Sequence, residues 1–169
     1  MRINSQYKNQ VHTSAKCSVS IGELARGVIQ SYESVFQSTH INVETDLHEL
    51  VDTVYPQAIH KAVSNLIEMA IESMPSGGDL LITLVDGSHH WELEIADSSP
   101  AAVGEPDANP ESGNQLARII PMPQDRRMGA AQTAAMIHGG QVQTWQCPQG
   151  GQANVLVIPR LANVASKAA

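Results

Sequence analysis

Residues 56–97, PQAIHKAVSNLIEMAIESMPSGGDLLITLVDGSHHWELEIAD, decide the fold. In their first half, apolar residues recur at three- and four-residue steps after Pro56, a residue that suits the first turn of a helix. The apolar positions are Ile59, Ala62, Val63, Leu66, Ile67, Ala70, Ile71 and Met74. This spacing predicts an amphipathic helix with one broad apolar face, which we expect to pack on a sheet.

The second half of the stretch predicts a turn followed by a β-hairpin. Pro75, Ser76, Gly77 and Gly78 are residues that end a helix and permit a tight turn. Alternating apolar residues then indicate two strands, with Leu80, Ile82 and Leu84 in the first and Trp91, Leu93 and Ile95 in the second. We expect the strands to be joined around residues 86–88, and the second strand to end on Asp97.

Further elements are predicted on both sides of this stretch. Ser20 and Glu23 form a capping box, and the apolar stripe after them predicts a helix that runs to about residue 38. Strands are predicted at residues 40–46, 50–55, 142–147 and 153–159, and a helix at residues 129–138.

Residues 65–78, NLIEMAIESMPSGG, resemble the N-box helix and following turn of the histidine-kinase-type ATPase domain, a member of the GHKL superfamily with the Bergerat nucleotide fold. Asp97 falls where that family has its G1 box. The helix that ends in His138, Gly139 and Gly140 falls where the family has the helix after its G2 box.

This resemblance implies an α/β fold, an α+β sandwich of the Bergerat type with helices on one face of a mixed, mainly antiparallel sheet. The domain would span residues 19–160, after a polar leader at 1–18 and before a tail at 161–169. Residues 98–125 are rich in Pro, Gly, Ser and Ala, and they fall where the family has its nucleotide lid. We expect this lid-like loop to be the mobile part of the molecule.

The same resemblance implies a vestigial nucleotide site made of Asn65, Asp97 and Gly129. The family's helix carries two Asn one turn apart, and the second supplies an oxygen to magnesium. Asn65 matches the first, whereas Met69 stands at the second position with a thioether that is a poor magnesium ligand. We therefore expect no metal site here.

The two glycine-rich elements are also altered. After Asp97, which would accept the adenine amino proton, the family's Gly-x-Gly is replaced by Ser98, Ser99 and Pro100. The G2 box would fall on residues 125–130, DRRMGA, where Gly129 is the glycine that is kept.

Each of these residues has a structural alternative. Asn65 could be a buried amide bonded to backbone, and Asp97 could simply cap the loop that follows it. Arg126 and Arg127 could pair with phosphate, or they could form a solvated face or a protein contact.

The histidines offer two further candidate roles, and we expect neither. His89 and His90, with His60 and His138 elsewhere, could form a metal pair, but neighbouring strand residues point to opposite faces and the residues are better explained as surface histidines. His12 lacks the sequence context of a phosphoacceptor, and we expect a solvated side chain.

Length and composition exclude several classes of function. The 169 residues suit one domain, and a net charge of −7 with ten Lys and Arg argues against nucleic-acid or anionic-membrane binding. No apolar run approaches the roughly 20 residues of a membrane span, so a cytoplasmic location is expected. The two cysteines, Cys17 and Cys147, are expected to be free thiols.

Together these observations predict a non-catalytic, histidine-kinase-like domain that acts in two-component signalling by binding a protein partner, without ATP or another cofactor. A homodimer is left open. The alternative is an ATP-binding sensor histidine kinase catalytic domain with an atypical pocket, which would use ATP and magnesium.

Overall fold

The computed structural model describes residues 15–99, 126–147 and 150–160. In chain order the elements are β1 (Cys17–Ser20), α1 (Ile21–Ser31), α2 (Glu33–Thr39), β2 (Ile41–Asp46), β3 (Val51–Val54), α3 (Pro56–Ser73), β4 (Gly78–Asp86), β5 (His90–Asp97), α4 (Arg126–Met136), β6 (Gln141–Gln146) and β7 (Gln152–Pro159). The predicted amphipathic helix and the predicted hairpin are therefore confirmed as α3 and β4–β5.

Five strands form the main sheet, in the order β2-β4-β5-β7-β6. β2 runs parallel to β4, and the other neighbouring strands are antiparallel. A separate two-stranded ribbon is formed by β1 and β3. The helices share one hydrophobic core with one side of this sheet. The predicted fold class, helices on one face of a mixed, mainly antiparallel sheet, is confirmed.

The core lies between α3 and the inner side of the β4–β5 hairpin. Leu80, Ile82, Leu84, Trp91, Leu93 and Ile95, the six alternating residues of the hairpin, are all at most 2% exposed. The predicted apolar face of α3 is equally buried, except that Ile71 is only partly covered. Each fully buried Leu or Ile contributes about 1.5–3 kcal/mol of transfer free energy, so this interface is a major source of stability.

A glycine turn positions β4 next to β2. Gly77 has a φ of 85°, and a Cβ atom there would lie 2.6 Å from the carbonyl oxygen of His40. The amide of Gly78 donates a hydrogen bond to the same oxygen at 3.3 Å. Only glycine fits this close approach, so the Gly77 position is set by sterics and does not depend on a ligand.

The structure differs from the sequence prediction in three elements. The single helix predicted up to about residue 38 is broken at Tyr32, whose hydroxyl donates to the Glu68 carboxylate of α3 at 2.7 Å. Burial, followed by this contact with Glu68, raises the pKa of Tyr32. Residues 17 and 18, expected in an unstructured leader, lie in β1 and pair with β3. The helix predicted from Gly129 begins at Arg126.

Other predictions fall outside the described residues or were correct. The lid-like loop beyond Ser99, His12 and the tail at 161–169 are not described. Cys17 and Cys147 are free, as expected. Among the described helices, none is long and apolar enough to cross a membrane, and the cytoplasmic location stays a prediction.

His138 joins the end of α4 to the start of α3. Its Nε2 accepts a hydrogen bond from the amide of Tyr55 at 2.9 Å, and its Nδ1 lies 2.6 Å from the carbonyl oxygen of Ala134. The ring is therefore neutral, with Nδ1–H donating to Ala134. Burial of the ring is the main cause that lowers the pKa of His138.

The His138 geometry predicts a pH-dependent stability. The unfolded histidine takes up a proton near its usual pKa of about 6.5, whereas the folded ring resists protonation, so stability is full above that pH and falls as the pH drops towards the lowered folded pKa. We expect urea unfolding to show that the free energy of unfolding falls less between about pH 7.5 and about pH 5.5 in His138→Gln than in the parent. His60→Gln, at an exposed site on α3, should keep the parent's dependence. An unchanged pH dependence in His138→Gln would contradict this assignment.

Candidate functional site

Asn65 and Met69 lie one turn apart on α3, at the border between its buried face and solvent. Both residues are partly buried, and Met69 packs against the core. The Nδ2 atom of Asn65 is buried, and it has no hydrogen-bond partner in the described part of the chain. The interpretation of Asn65 as a fully satisfied buried amide is therefore not supported. A buried donor without a partner costs about 1–3 kcal/mol, which leaves this amide able to gain from a ligand.

Asp97 ends β5 and is only 6% exposed. Its Oδ1 accepts hydrogen bonds from the amides of Ser99 at 3.0 Å and Gln152 at 3.2 Å. The predicted role as a cap of the following loop is confirmed, and the second bond also ties β5 to β7. The carboxylate thus has a structural function that requires no nucleotide. Its other oxygen, Oδ2, accepts no hydrogen bond from residues 15–99, 126–147 or 150–160.

The residues after Asp97 are held by β4. The hydroxyl of Ser98 accepts a hydrogen bond from the amide of Asp79 at 2.8 Å, and the amide of Ser98 donates to the Asp79 carbonyl at 3.0 Å. The same hydroxyl lies 3.9 Å from the sulfur of Met74, at the end of α3. Ser98 therefore lies between β4 and the end of α3, where the resemblance places a glycine element.

An ion pair joins the start of α4 to α3. The Nη1 and Nη2 atoms of Arg127 each lie 2.5 Å from an oxygen of the Glu72 carboxylate. This is a bidentate pair, the strongest geometry for arginine and a carboxylate. The structure thus shows Arg127 in an ion pair within the domain, a role that the sequence prediction did not include. Arg126 is exposed.

Gly129 lies inside α4 and not in a glycine-dependent loop. No described atom outside its own turn lies within 4 Å of the place where a Cβ would be. Its carbonyl oxygen accepts a hydrogen bond from the Thr133 hydroxyl at 2.8 Å. Nothing in the described structure requires glycine at this position.

The structure separates the histidines and gives no metal cluster. His89 and His60 are exposed, and His90 pairs with Glu92 at 2.8 Å. His138, however, is 8% exposed, so its interpretation as a surface histidine is wrong. In the described ranges, no group of three or more His, Cys, Asp or Glu side chains could hold a metal ion.

Sequence reasoning missed Glu72 and Ser98. Glu72 lies seven residues after Asn65 and three after Met69, and therefore on the same side of α3. An acidic residue at this spacing, together with two arginines just before the helix predicted at 129–138, is the signal that could have identified the pair. Ser98 gave no such signal, because its partner Asp79 lies on another strand.

The comparisons with known proteins identify the fold. No protein-family profile and no curated protein sequence matches the chain. Among solved structures, the chain is similar to the catalytic domain of histidine kinase ThkA, with a TM-score of 0.68 and 21% identity over 87% of this chain and 98% of that chain. It is also similar to the ATP binding domain of PrrB from Mycobacterium tuberculosis, with a TM-score of 0.63 and 19% identity over 87% and 98% of the two chains.

A third similar structure is histidine kinase ThkA in complex with the response regulator protein TrrA, with a TM-score of 0.63 and 21% identity. This match covers 86% of the present chain and 42% of that longer chain. The chain therefore has the fold of histidine kinase catalytic domains, as the resemblance implied.

The open surroundings of Gly129 lead to a stability prediction. Gly129→Ala should raise the free energy of unfolding by about 0.5–1 kcal/mol, because alanine has the better helix propensity and its Cβ meets no described atom outside its own turn within 4 Å. Gly27→Ala in α1, where the Cβ position is also open, is the matched control and should behave alike. Gly22→Ala should lower the free energy of unfolding, since its Cβ would clash with the His48 carbonyl oxygen. Urea unfolding checks all three, and a clear loss of stability in Gly129→Ala would show that a glycine is needed there.

Proposed function

We propose that this chain is a non-catalytic, histidine-kinase-like domain that acts in signalling by binding another protein and does not bind magnesium-ATP. The observation that carries this proposal is Met69. It lies one turn from Asn65 on α3, where the resemblance expects the oxygen ligand of magnesium, and its side chain packs against the core. A thioether cannot replace an oxygen ligand for this hard cation.

The electrostatics around Met69 support the proposal. Glu72 lies one turn further along α3 and is held by Arg127, so the start of α4 is tied to α3 by an internal ion pair. A triphosphate entering here without its metal ion would bring negative charge towards the carboxylates of Glu72 and Asp97. It would also have to compete with Glu72 for the guanidinium of Arg127.

The alternative function, an ATP-binding kinase domain with an atypical pocket, is favoured by one observation. Asn65 Nδ2 is buried without a partner among the described residues, and Asp97 Oδ2 likewise accepts no hydrogen bond there. These two groups stand at the positions that the resemblance assigns to the nucleotide. The loop-capping role of Asp97 explains why a carboxylate is present there without a ligand. The buried amide of Asn65 has no such explanation.

A protein partner is supported by the similar fold of ThkA, which has been solved in complex with a response regulator protein. We propose a partner from the same kind of pathway for this chain. The acidic composition, with a net charge of −7, argues against nucleic acid as that partner.

The first consequence concerns nucleotide affinity. Calorimetric titration of the full chain with magnesium-ATP, and separately with ADP, should show no saturable binding tighter than about 100 micromolar, which corresponds to about −5.5 kcal/mol. One-to-one binding above that strength would favour the alternative function.

The second consequence tests whether the missing magnesium ligand at Met69 is the only defect of the nucleotide site or whether the whole site is lost. Met69→Asn returns an oxygen to the correct turn of α3, but we expect no magnesium-dependent shift in melting temperature with ATP. The variant should instead lose about 1–3 kcal/mol of stability, because it places an amide where a partly buried thioether packs on the core.

Met136→Asn is the matched control for this substitution. Met136 is 73% exposed on α4, so the same exchange should change stability by less than about 0.5 kcal/mol. If Met69→Asn were as stable as the parent and gained a clear magnesium-dependent shift, the pocket would be intact and the proposed loss of the site would be wrong.

A further inference from the structure

One side of the main sheet faces away from the helices and carries apolar side chains. The residues that alternate with the core residues of the hairpin point to this side, and Leu81 and Val85 there are 41% and 48% exposed. We use the name outer face for the surface formed by Leu81, Val85, Glu94, Ala96, Trp145 and Val155. Val155 is buried but lies outside the hydrophobic core cluster, which is consistent with its place on this second side.

An apolar row crosses four strands of the outer face. Leu81 of β4 pairs in register with Ala96 of β5, Ala96 pairs with Ala153 of β7, and Ala153 pairs with Trp145 of β6. Side chains in register on one face of a sheet are direct neighbours, so the row is continuous. Leu81 is exposed, Ala96 and Trp145 are partly exposed, and Ala153 is buried between its neighbours. A continuous apolar row that reaches solvent is typical of an interaction site.

Glu94 lies in the next row, beside Ala96 of the apolar row. Its register neighbours are Thr83 and Val155, and the next carboxylate on the same side is Glu92, two residues away. Within the described ranges Glu94 forms no ion pair, whereas Glu92 pairs with His90. Burial, and then the charge of Glu92, raise the pKa of Glu94. A carboxylate in such surroundings is stabilised by a cation from outside.

The rest of this side is acidic as well. Glu44 and Asp46 of β2 are exposed on it, and no described residue that points outward from the five strands is Lys or Arg. A concavity of about 250 Å³ lies at one end of the outer face, lined among others by Glu44, Leu81, Ala96 and Cys147. The surface therefore combines apolar area, negative charge and a concavity large enough to hold a side chain.

We propose that the outer face binds a cationic amphipathic helix of a partner protein, with a Lys or Arg of that helix paired to Glu94 and its apolar side chains on Leu81, Ala96 and Trp145. This inference rests on the proposed protein-binding function and assigns it a surface. A second copy of this chain is a poor occupant, because both copies would present carboxylates to each other at a net charge of −7 each. Nucleic acid and anionic membranes are disfavoured by the same charge.

A helical partner suits the dimensions of the surface. Five strands about 4.8 Å apart span roughly 19 Å, and a helix of about 14 residues is roughly 21 Å long. A helix is therefore able to cross the whole sheet and cover the apolar row. Helices already pack on the other side of this sheet.

The test uses a synthetic peptide of about 14 residues, built from Leu and Lys at helical spacing, as the probe. Titrated into the full chain, it should bind saturably and change the emission of Trp145, with Trp145→Phe as the spectroscopic control. Glu94→Gln should weaken binding at least about tenfold, because it removes the central charge, whereas Glu49→Gln, at an exposed site outside the outer face, should change it by less than about twofold.

The apolar contribution is tested by a second matched pair. Leu81→Ser should weaken binding at least about fivefold, and Val35→Ser, on α2 with 36% exposure, should leave it unchanged. Glu94→Gln should be no less stable than the parent, since it replaces a carboxylate that lacks an ion pair among the described residues, so a folding defect will not imitate lost binding.

Three results would overturn the proposal. They are no binding of the probe, equal affinity for Glu94→Gln and Glu49→Gln, and equal affinity for a peptide of the same composition whose Leu and Lys order is not amphipathic. The last two would show only a general attraction between opposite charges. None of these results bears on nucleotide binding, so the proposed loss of the nucleotide site can stand or fail independently.

Discussion

The packing of α3 on the inner side of the β4–β5 hairpin is the interaction on which the rest of the structure depends. It buries the apolar face of the helix and the alternating residues of both strands together. The tight turn at Gly77 connects the helix directly to β4. The turn therefore limits how far the helix can shift relative to the hairpin. This arrangement places Asn65 and Met69 at the border of the buried face, and it places Asp97 at the end of the neighbouring strand.

Most residues of the candidate nucleotide site have a structural role in the fold, and one residue does not. Asp97 caps its loop and binds the Gln152 amide, so its presence is explained by the fold alone. Gly129 lies in an ordinary helical position, and Arg127 is held by Glu72. Asn65 is the exception, because its buried amide nitrogen lacks a partner in the described chain. The case for a lost site rests on Met69, and the strongest argument against it rests on Asn65, a single turn away.

The elements and contacts that could be predicted from the sequence are those between residues close to one another along the chain. The helix α3 and its hairpin were predictable, since their apolar periods are long and the turn residues between them are specific. The break at Tyr32 was not, because it involves Glu68, 36 residues away. The buried state of His138 depends on Tyr55, 83 residues away, and the Arg127–Glu72 pair joins residues 55 apart. Strand β1 has four residues and little apolar pattern, so only its pairing with β3 defines it. Asn65 lies on α3 and Asp97 ends β5, as the pattern indicated, whereas Gly129 lies inside α4 and not at its start. The hydrogen-bond partners of these residues could not be read from local patterns.

The most direct test of the central claim is a nuclear magnetic resonance titration that follows the side-chain amide of Asn65. Spectra of the isotope-labelled chain would be recorded as magnesium-ATP is added to millimolar concentration, and again with ATP and no magnesium. If the nucleotide site is lost, the Asn65 side-chain signal and the backbone signals of Met69 and Asp97 should stay in place in both series. A saturable shift of these three signals together, larger with magnesium than without it, would show a working nucleotide site.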